Sequence, residues 1–224
     1  MTIVEPFTRS DRAPKRARTL AIVHGGTYFH LQMMKDPAVL AHQPDFLYLP
    51  DLLPGDLDGY DTVIVGDRLH PDLVAKNAAQ FYSVAQRGGT VVALGESGAH
   101  TWLPGVTWEP RPTNFWWWLT KEDPMIRTRS HDHESWQYLT TKAVIWHHHG
   151  IYNIDADVVP LLVSEEPDSE GVPRDAGMML YEDTVTTPGR IIATTLDPMY
   201  HHGSNFMPGA TRFLYALLRW IDNT

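Results

Sequence analysis

Short apolar runs alternate with amphipathic stretches through the first half of the chain. TLAIV (19 to 23), DFLYLP (45 to 50), DTVIVGD (61 to 67) and TVVALG (90 to 95) are β-branched and aliphatic runs closed by polar or turn residues. Unbroken runs of this length predict strands buried on both faces. Between them, HLQMMKDPAVLAH (30 to 42) predicts a helix that Pro37 must break or restart. A second helix opens at His70-Pro71-Asp72, shows an apolar face of Leu73, Ala75, Ala78, Ala79, Phe81 and Val84, and closes at Arg87-Gly88-Gly89. Buried strands alternating with helices predict a parallel sheet covered on both sides, with ligands gathering at the carboxyl ends of the strands.

The second half is less regular. AVIWHHH (143 to 149), VVPLLVSE (158 to 165), GMMLYED (177 to 183) and RIIATTLD (190 to 197) read as four further strands. The turn-forming segments EPDSEGVPRDA and DTVTTPG make the last of these antiparallel neighbours. PGATRFLYALLRWID (208 to 222) is an amphipathic closing helix. Residues from about 101 to 141 read as an excursion rich in Trp and Pro, packed by its own aromatics. Residues 1 to 18 lack apolar periodicity and read as a flexible basic arm. The expected organisation is that arm followed by one α/β domain over 19 to 224. It is flavodoxin-like and three-layered, its sheet mainly parallel with antiparallel strands in the carboxyl-terminal half.

Composition narrows the function classes. A chain of 224 residues with 43% hydrophobic residues can bury one substantial core. Its formal charge of -9 argues against nucleic acid as a partner, because phosphate binding needs clustered Lys and Arg. The arm carries Arg9, Arg12, Lys15, Arg16 and Arg18 against Glu5 and Asp11, which leaves the remainder more acidic still. With no cysteine, disulfides, thiolate zinc sites and a cysteine nucleophile are excluded, and a reducing compartment is favoured. No run is long enough to cross a bilayer, so a cytoplasmic protein without a membrane partner is expected.

GYDTVIVGD (59 to 67), RGGTVVALGES (87 to 97) and PGRIIATTLDP followed by a helix give the chain, over about 19 to 222, a recognisable outline. It resembles the class I glutamine amidotransferase-like superfamily, in its divergent trehalose-utilisation-type (ThuA-like) branch and the β-galactosidase middle-domain relatives. Active amidotransferases of that fold carry a cysteine on a sharp turn after a strand, as G-x-C-x-G. The matching segment here is Gly95-Glu96-Ser97-Gly98-Ala99, with Ser97 at the nucleophile position, and Leu103-Pro104-Gly105 cuts short the helix that should follow. The resemblance therefore implies the fold without glutaminase activity, and leans towards sugars.

Chemistry-bearing residues gather where strands end. His24-Gly25-Gly26-Thr27-Tyr28, Asp67-Arg68-Leu69-His70, Glu96-Ser97-Gly98-Ala99-His100, His147-His148-His149 and Asp197-Pro198-Met199-Tyr200-His201-His202 all follow predicted strands. They hold eight of the 12 histidines, which predicts a cleft lined with His and carboxylate over the sheet. The candidate catalytic groups are Ser97, Glu96, His149, His201, His202 and Asp197, with Ser97 as nucleophile, His201 or His202 as base, and Asp197 or Glu96 as orienting acid. Candidate substrate-binding residues are His24, Gly25, Tyr28, Asp67, Arg68, His100, Trp102, His147 and Tyr152.

A divalent metal is the alternative: His24, Asp67, Glu96 and one of the three consecutive histidines could converge on zinc, manganese or iron, although no ligand motif is present. On a strand, His147 and His149 would share one face and His148 the other. Phe115, Trp116, Trp117 and Trp118 fit a satellite core or a subunit contact better than a stack on one ligand, so a homo-oligomer is expected. His131 and His133 read as surface loop. Three roles follow: a hydrolase-like or lyase-like enzyme or binding domain for a small polar, sugar-like molecule; a metal-dependent hydrolase; or a non-catalytic assembly domain.

Overall fold

The computed structural model describes residues 19–113 and 115–224, so the expected arm at 1–18 lies outside the described residues. From the amino-terminal side the chain builds β1 (Leu20–His24), α1 (Tyr28–Met33), α2 (Pro37–Leu40), β2 (Asp45–Tyr48), β3 (Thr62–Val65), α3 (Pro71–Gln86) and β4 (Thr90–Leu94). Then come β5 (Val106–Pro110), α4 (Trp117–Thr120), β6 (Ile126–Thr128), α5 (Thr141–Val144), β7 (Gly150–Ile154), β8 (Val159–Pro167) and β9 (Pro173–Asp183). β10 (Arg190–Thr194), α6 (Pro198–Gly203) and α7 (Pro208–Asn223) close the chain.

Among the described residues all ten strands join in one sheet, ordered β2-β1-β3-β4-β10-β9-β7-β5, with β8 also paired to β9 and β6 to β8. β2, β1, β3, β4 and β10 are mutually parallel. Their order, 2-1-3-4 with β10 in fifth place, is that of the flavodoxin-like doubly wound sheet. β9 pairs antiparallel with β10, β8 and β7, and β7 with β5. The fold is thus α/β, parallel in its first part and antiparallel in its last.

Alternation along each strand divides the core. Leu20 and Ile22 of β1 join Ile64, Val92 and Ile192 under α7, where Phe213, Leu214, Leu217, Leu218, Trp220 and Ile221 are buried. Ala21 and Val23 point the other way, with Val63, Val65, Val91 and Ala93, onto Phe81 and Val84 of α3. Each large side chain so buried contributes about 1.5–3 kcal/mol, so the two faces hold the sheet between helix layers. The break at Pro37 is as expected: α1 stops at Met33, and Asp36 caps α2 by accepting a 2.7 Å hydrogen bond from Ala38 N–H.

Two expectations need correction. AVIWHHH is not a strand: Thr141–Val144 form a helical turn, residues 145 to 149 are irregular, and pairing starts only at Gly150. Ala143, Val144 and Trp146 are buried in the α7 layer, with Trp146 edge-on to His201 and Phe213. A short apolar run buried under a helix has the composition of a strand without its pairing. The excursion at 101 to 141 is also not packed by its own aromatics. It supplies β5 and β6 to the sheet, and leaves Phe115, Trp116 and Trp118 exposed.

Candidate functional site

β3, β4 and β10 lie side by side, and their carboxyl ends bring Asp67, Gly95 and Asp197 together. Gly95 has φ +48°, and a Cβ there would lie 2.8 Å from Asp197 Cβ and 3.0 Å from Asp67 Cβ. Only glycine leaves both acids room on either side of the β4 end. Tyr152, buried in β7, donates a hydrogen bond to Gly95 C=O at 3.3 Å and fixes that end from below.

The two acids meet different surroundings. Asp67 is fully buried; its Oδ2 accepts from Met199 N–H at 2.8 Å and Tyr200 N–H at 3.2 Å, in the first turn of α6. Burial, and then repulsion from Asp197, hold its carboxyl well above the usual carboxylate range. Burial also pushes Asp197 upward, but His201 and Arg68 outweigh it and its acidity ends below the ordinary value. Arg68 donates from Nε at 2.9 Å and from Nη2 at 2.7 Å, both to Asp197 Oδ2. It sits 3.8 Å from Glu96 and stacks 3.9 Å over the Tyr200 ring. The other Asp197 oxygen, Oδ1, is 3.0 Å from His201 Nε2, off the line a directed hydrogen bond needs.

The three consecutive histidines separate by role. His147 packs against His201 with ring centroids 4.6 Å apart and against His149 at 5.6 Å. Burial, then the neighbouring His201, push His147 down to about 4, so it is neutral at physiological pH. His148 turns away and its Nδ1 bonds Gly150 C=O at 2.9 Å. One ligand atom each from His147, His149 and Asp197 lie within 4.8 Å of one another. His147 and His149 come together through an irregular loop, and the strand alternation expected to pair them is absent.

Other predicted residues are placed differently. Ser97 is buried with its hydroxyl unbonded, so neither His201 nor His202 activates it and no Ser-His-acid triad forms. His202 faces the far side of α6, between Thr211 Oγ1 and Asp36 Oδ2, each 3.0 Å away. Trp102 is a core residue, edge-on to Phe81 and donating to Ser97 C=O, and Tyr152 is likewise core; neither lines a cleft. His100 stacks on Trp108 at the sheet edge. His24 accepts from Gly26 N–H at 3.1 Å and packs on Tyr48, apart from the metal-type cluster, which contains neither Asp67 nor Glu96. Gly25 lies beneath Leu69 and His30, and Tyr28 is exposed. His133, expected on a surface loop, bonds Glu182 at 2.7 Å and packs edge-on to Trp220.

Sequence reasoning missed His30, which is wholly buried beside Asp67. Its Nε2 lies 3.1 Å from Asp67 C=O, which can only accept, so Nε2 carries the proton and Nδ1 accepts from the Thr27 hydroxyl at 2.7 Å. Its spacing of three from the buried Met33 was the available signal.

Arg68, Leu69, Pro71, Val74, Glu96, Ser97 and Gly98 line a cavity of about 350 Å³, which shares Arg68 with the two-aspartate cluster. A larger depression, about 980 Å³, lies at the opposite ends of the strands. There Arg190 is paired with Glu182, and Arg87 donates to the Leu57 carbonyl. Asp67, His147 and Asp197, with acidities shifted by their surroundings, and most of the unbonded buried polar atoms gather at the carboxyl ends, which makes that edge the candidate site.

No protein-family model matches the chain, and no curated protein matches it. Among solved structures it is similar to the exo-beta-1,4-mannosidase Op5Man5 from Opitutaceae bacterium strain TAV5, at 12% identity and TM-score 0.44, covering 92% of this chain and 36% of that one. It is also similar to a polyextremophilic beta-galactosidase from the Antarctic haloarchaeon Halorubrum lacusprofundi, at 14% identity and TM-score 0.44, over 92% of this chain and 30% of that one. The chain thus spans about a third of the length of these proteins.

Proposed function

We propose that the chain binds a small, hydroxyl-bearing, sugar-like molecule at the carboxyl edge of the sheet and acts on it by His and carboxylate acid-base chemistry. In this reading it is a divergent amidotransferase-like domain without glutaminase activity. The observation that carries it is the Asp67 and Asp197 pair, whose acidities are driven apart across Gly95. Two carboxyl groups so separated divide the labour of acid and base. Asp67, its acidity weakened by burial and by the neighbouring Asp197, is the member of the pair suited to donate a hydrogen bond or proton. Asp197 is held as the carboxylate partner of Arg68, and His201 stands beside it as an imidazole that can take a proton from a ligand hydroxyl. The cavity between Arg68 and Glu96 lies in the size range of small-molecule sites and offers both a cationic donor and an acceptor for hydroxyls.

A thermal-shift panel of neutral monosaccharides, disaccharides and polyols tests this. A ligand should raise the wild-type Tm by several degrees and leave Glu96→Gln unshifted. A panel without effect on the wild type, or an equal shift in the variant, contradicts it.

A second role, self-association, is favoured by the exposed Phe115, Trp116, Trp118 and Leu119, large apolar side chains grouped within one segment.

A further inference from the structure

We infer that His147, His149 and Asp197 bind one divalent transition-metal ion of the zinc, cobalt or iron type. Their ligand atoms already lie within 4.8 Å of one another. A tetrahedral ion with ligand distances of about 2.0–2.2 Å places its donors about 3.3–3.5 Å apart, so about 1 Å of side-chain closure completes the set. His147 Nε2, His149 Nε2 and Asp197 Oδ1 are all buried and make no hydrogen bond. Burying such groups unpaired is costly, and all three are electron-pair donors, which is the chemistry a cation recognises.

The surroundings prepare those donors. The Thr113 hydroxyl donates its proton to His148 C=O at 2.8 Å, so its oxygen is left to accept from His149 Nδ1, 3.2 Å away. The proton of His149 is thereby held on Nδ1, and Nε2 presents its lone pair to the cluster. Arg68 donates both its short bonds to Asp197 Oδ2, which leaves Oδ1 for the ion. His148 has its own part in the run of three: its backbone carbonyl anchors Thr113, and its ring is turned out to Gly150.

Two imidazoles and one carboxylate, without thiolate, select borderline ions over the oxygen-seeking Mg²⁺ and Ca²⁺. Three protein ligands leave a coordination position open to water or to a ligand hydroxyl. The ion would therefore deepen the proposed function by holding a hydroxyl of the same polar molecule, and only that last step rests on the earlier reading.

The test is made on full-length protein stripped with a chelator, with no sugar present. Calorimetric titration with ZnCl2 should give one equivalent bound, and Co²⁺ should develop visible d–d bands of low coordination number. Thr113→Val should weaken zinc by about 10-fold, as for the loss of an outer-shell partner. His149→Ala should weaken it more, and His100→Ala should bind as wild type. Substoichiometric zinc binding by the wild type, a Co²⁺ spectrum of the free hexaaqua ion, or undiminished affinity in both Thr113→Val and His149→Ala would overturn the inference. Zinc binding without any sugar response would sink the ligand reading alone, and a sugar response without zinc binding would sink the ion site alone.

Discussion

Asp67 and Asp197 flank Gly95 so closely that a single methyl group there would lie within 3.0 Å of the Cβ of each. The pair exists because β3 and β10 sit on either side of β4, and because β4 ends in a residue without a side chain.

Gly95→Ala should therefore be costly on two counts, a left-handed φ and contact with two buried side chains. We expect a loss of about 2–4 kcal/mol in urea unfolding, combining backbone strain with overpacking. A variant within about 0.5 kcal/mol of wild type would mean that the two acids can move apart freely.

Asp197→Asn removes the charge facing Arg68 while keeping the shape. Breaking a largely buried pair on one side typically costs about 3 kcal/mol, and Arg68, partly reached by solvent, should lie at or below that figure. Asp197→Asn with Arg68→Met should recover part of the loss, which a double-mutant cycle measures.

His30 gives the fold an acid sensitivity. Burial, then the charge of His24, lower it from 6.5 to about 4 in the folded chain. Below pH 6.5 the unfolded chain binds a proton that the folded chain refuses, so stability falls as pH drops from 6.5 towards 4, by up to about 1.4 kcal/mol per pH unit. Unfolding curves at pH 7 and pH 5 should show the drop in wild type and a smaller one in His30→Gln. An equal drop in both would assign the sensitivity to other groups.

The exposed aromatics of the excursion make a separate prediction. Trp116→Ser with Trp118→Ser should leave monomer stability within about 0.5 kcal/mol, since surface substitutions rarely matter more. Light scattering should show a smaller assembly than wild type; identical masses would remove self-association from this surface.

Much of this was legible in the sequence where one physical signal dominates. Continuous β-branched runs marked β1, β3, β4, β8, β9 and β10, and the strand-end rule brought Asp67, Arg68, Asp197 and His201 into one neighbourhood. The sequence misled where burial is supplied by distant partners. Ala143, Val144 and Trp146 look like a strand but pack under α7, while β5 and β6 hide behind the Pro and Trp of their segment. Ser97 and Trp102 look functional by position, yet one hydroxyl faces no base and the other ring fills the core. The tautomer of His149 depends on Thr113, 36 residues earlier, and that relation has no local signature.

The divided acidity of the two aspartates is tested most directly by NMR titration of 13C-labelled aspartate carboxyl carbons, in wild type and Asp67→Asn. One carboxyl should keep the chemical shift of the protonated acid well above the usual carboxylate range, and that signal should vanish in Asp67→Asn. If every aspartate titrates within the ordinary range, Asp67 and Asp197 are not an acid and base set apart by their surroundings.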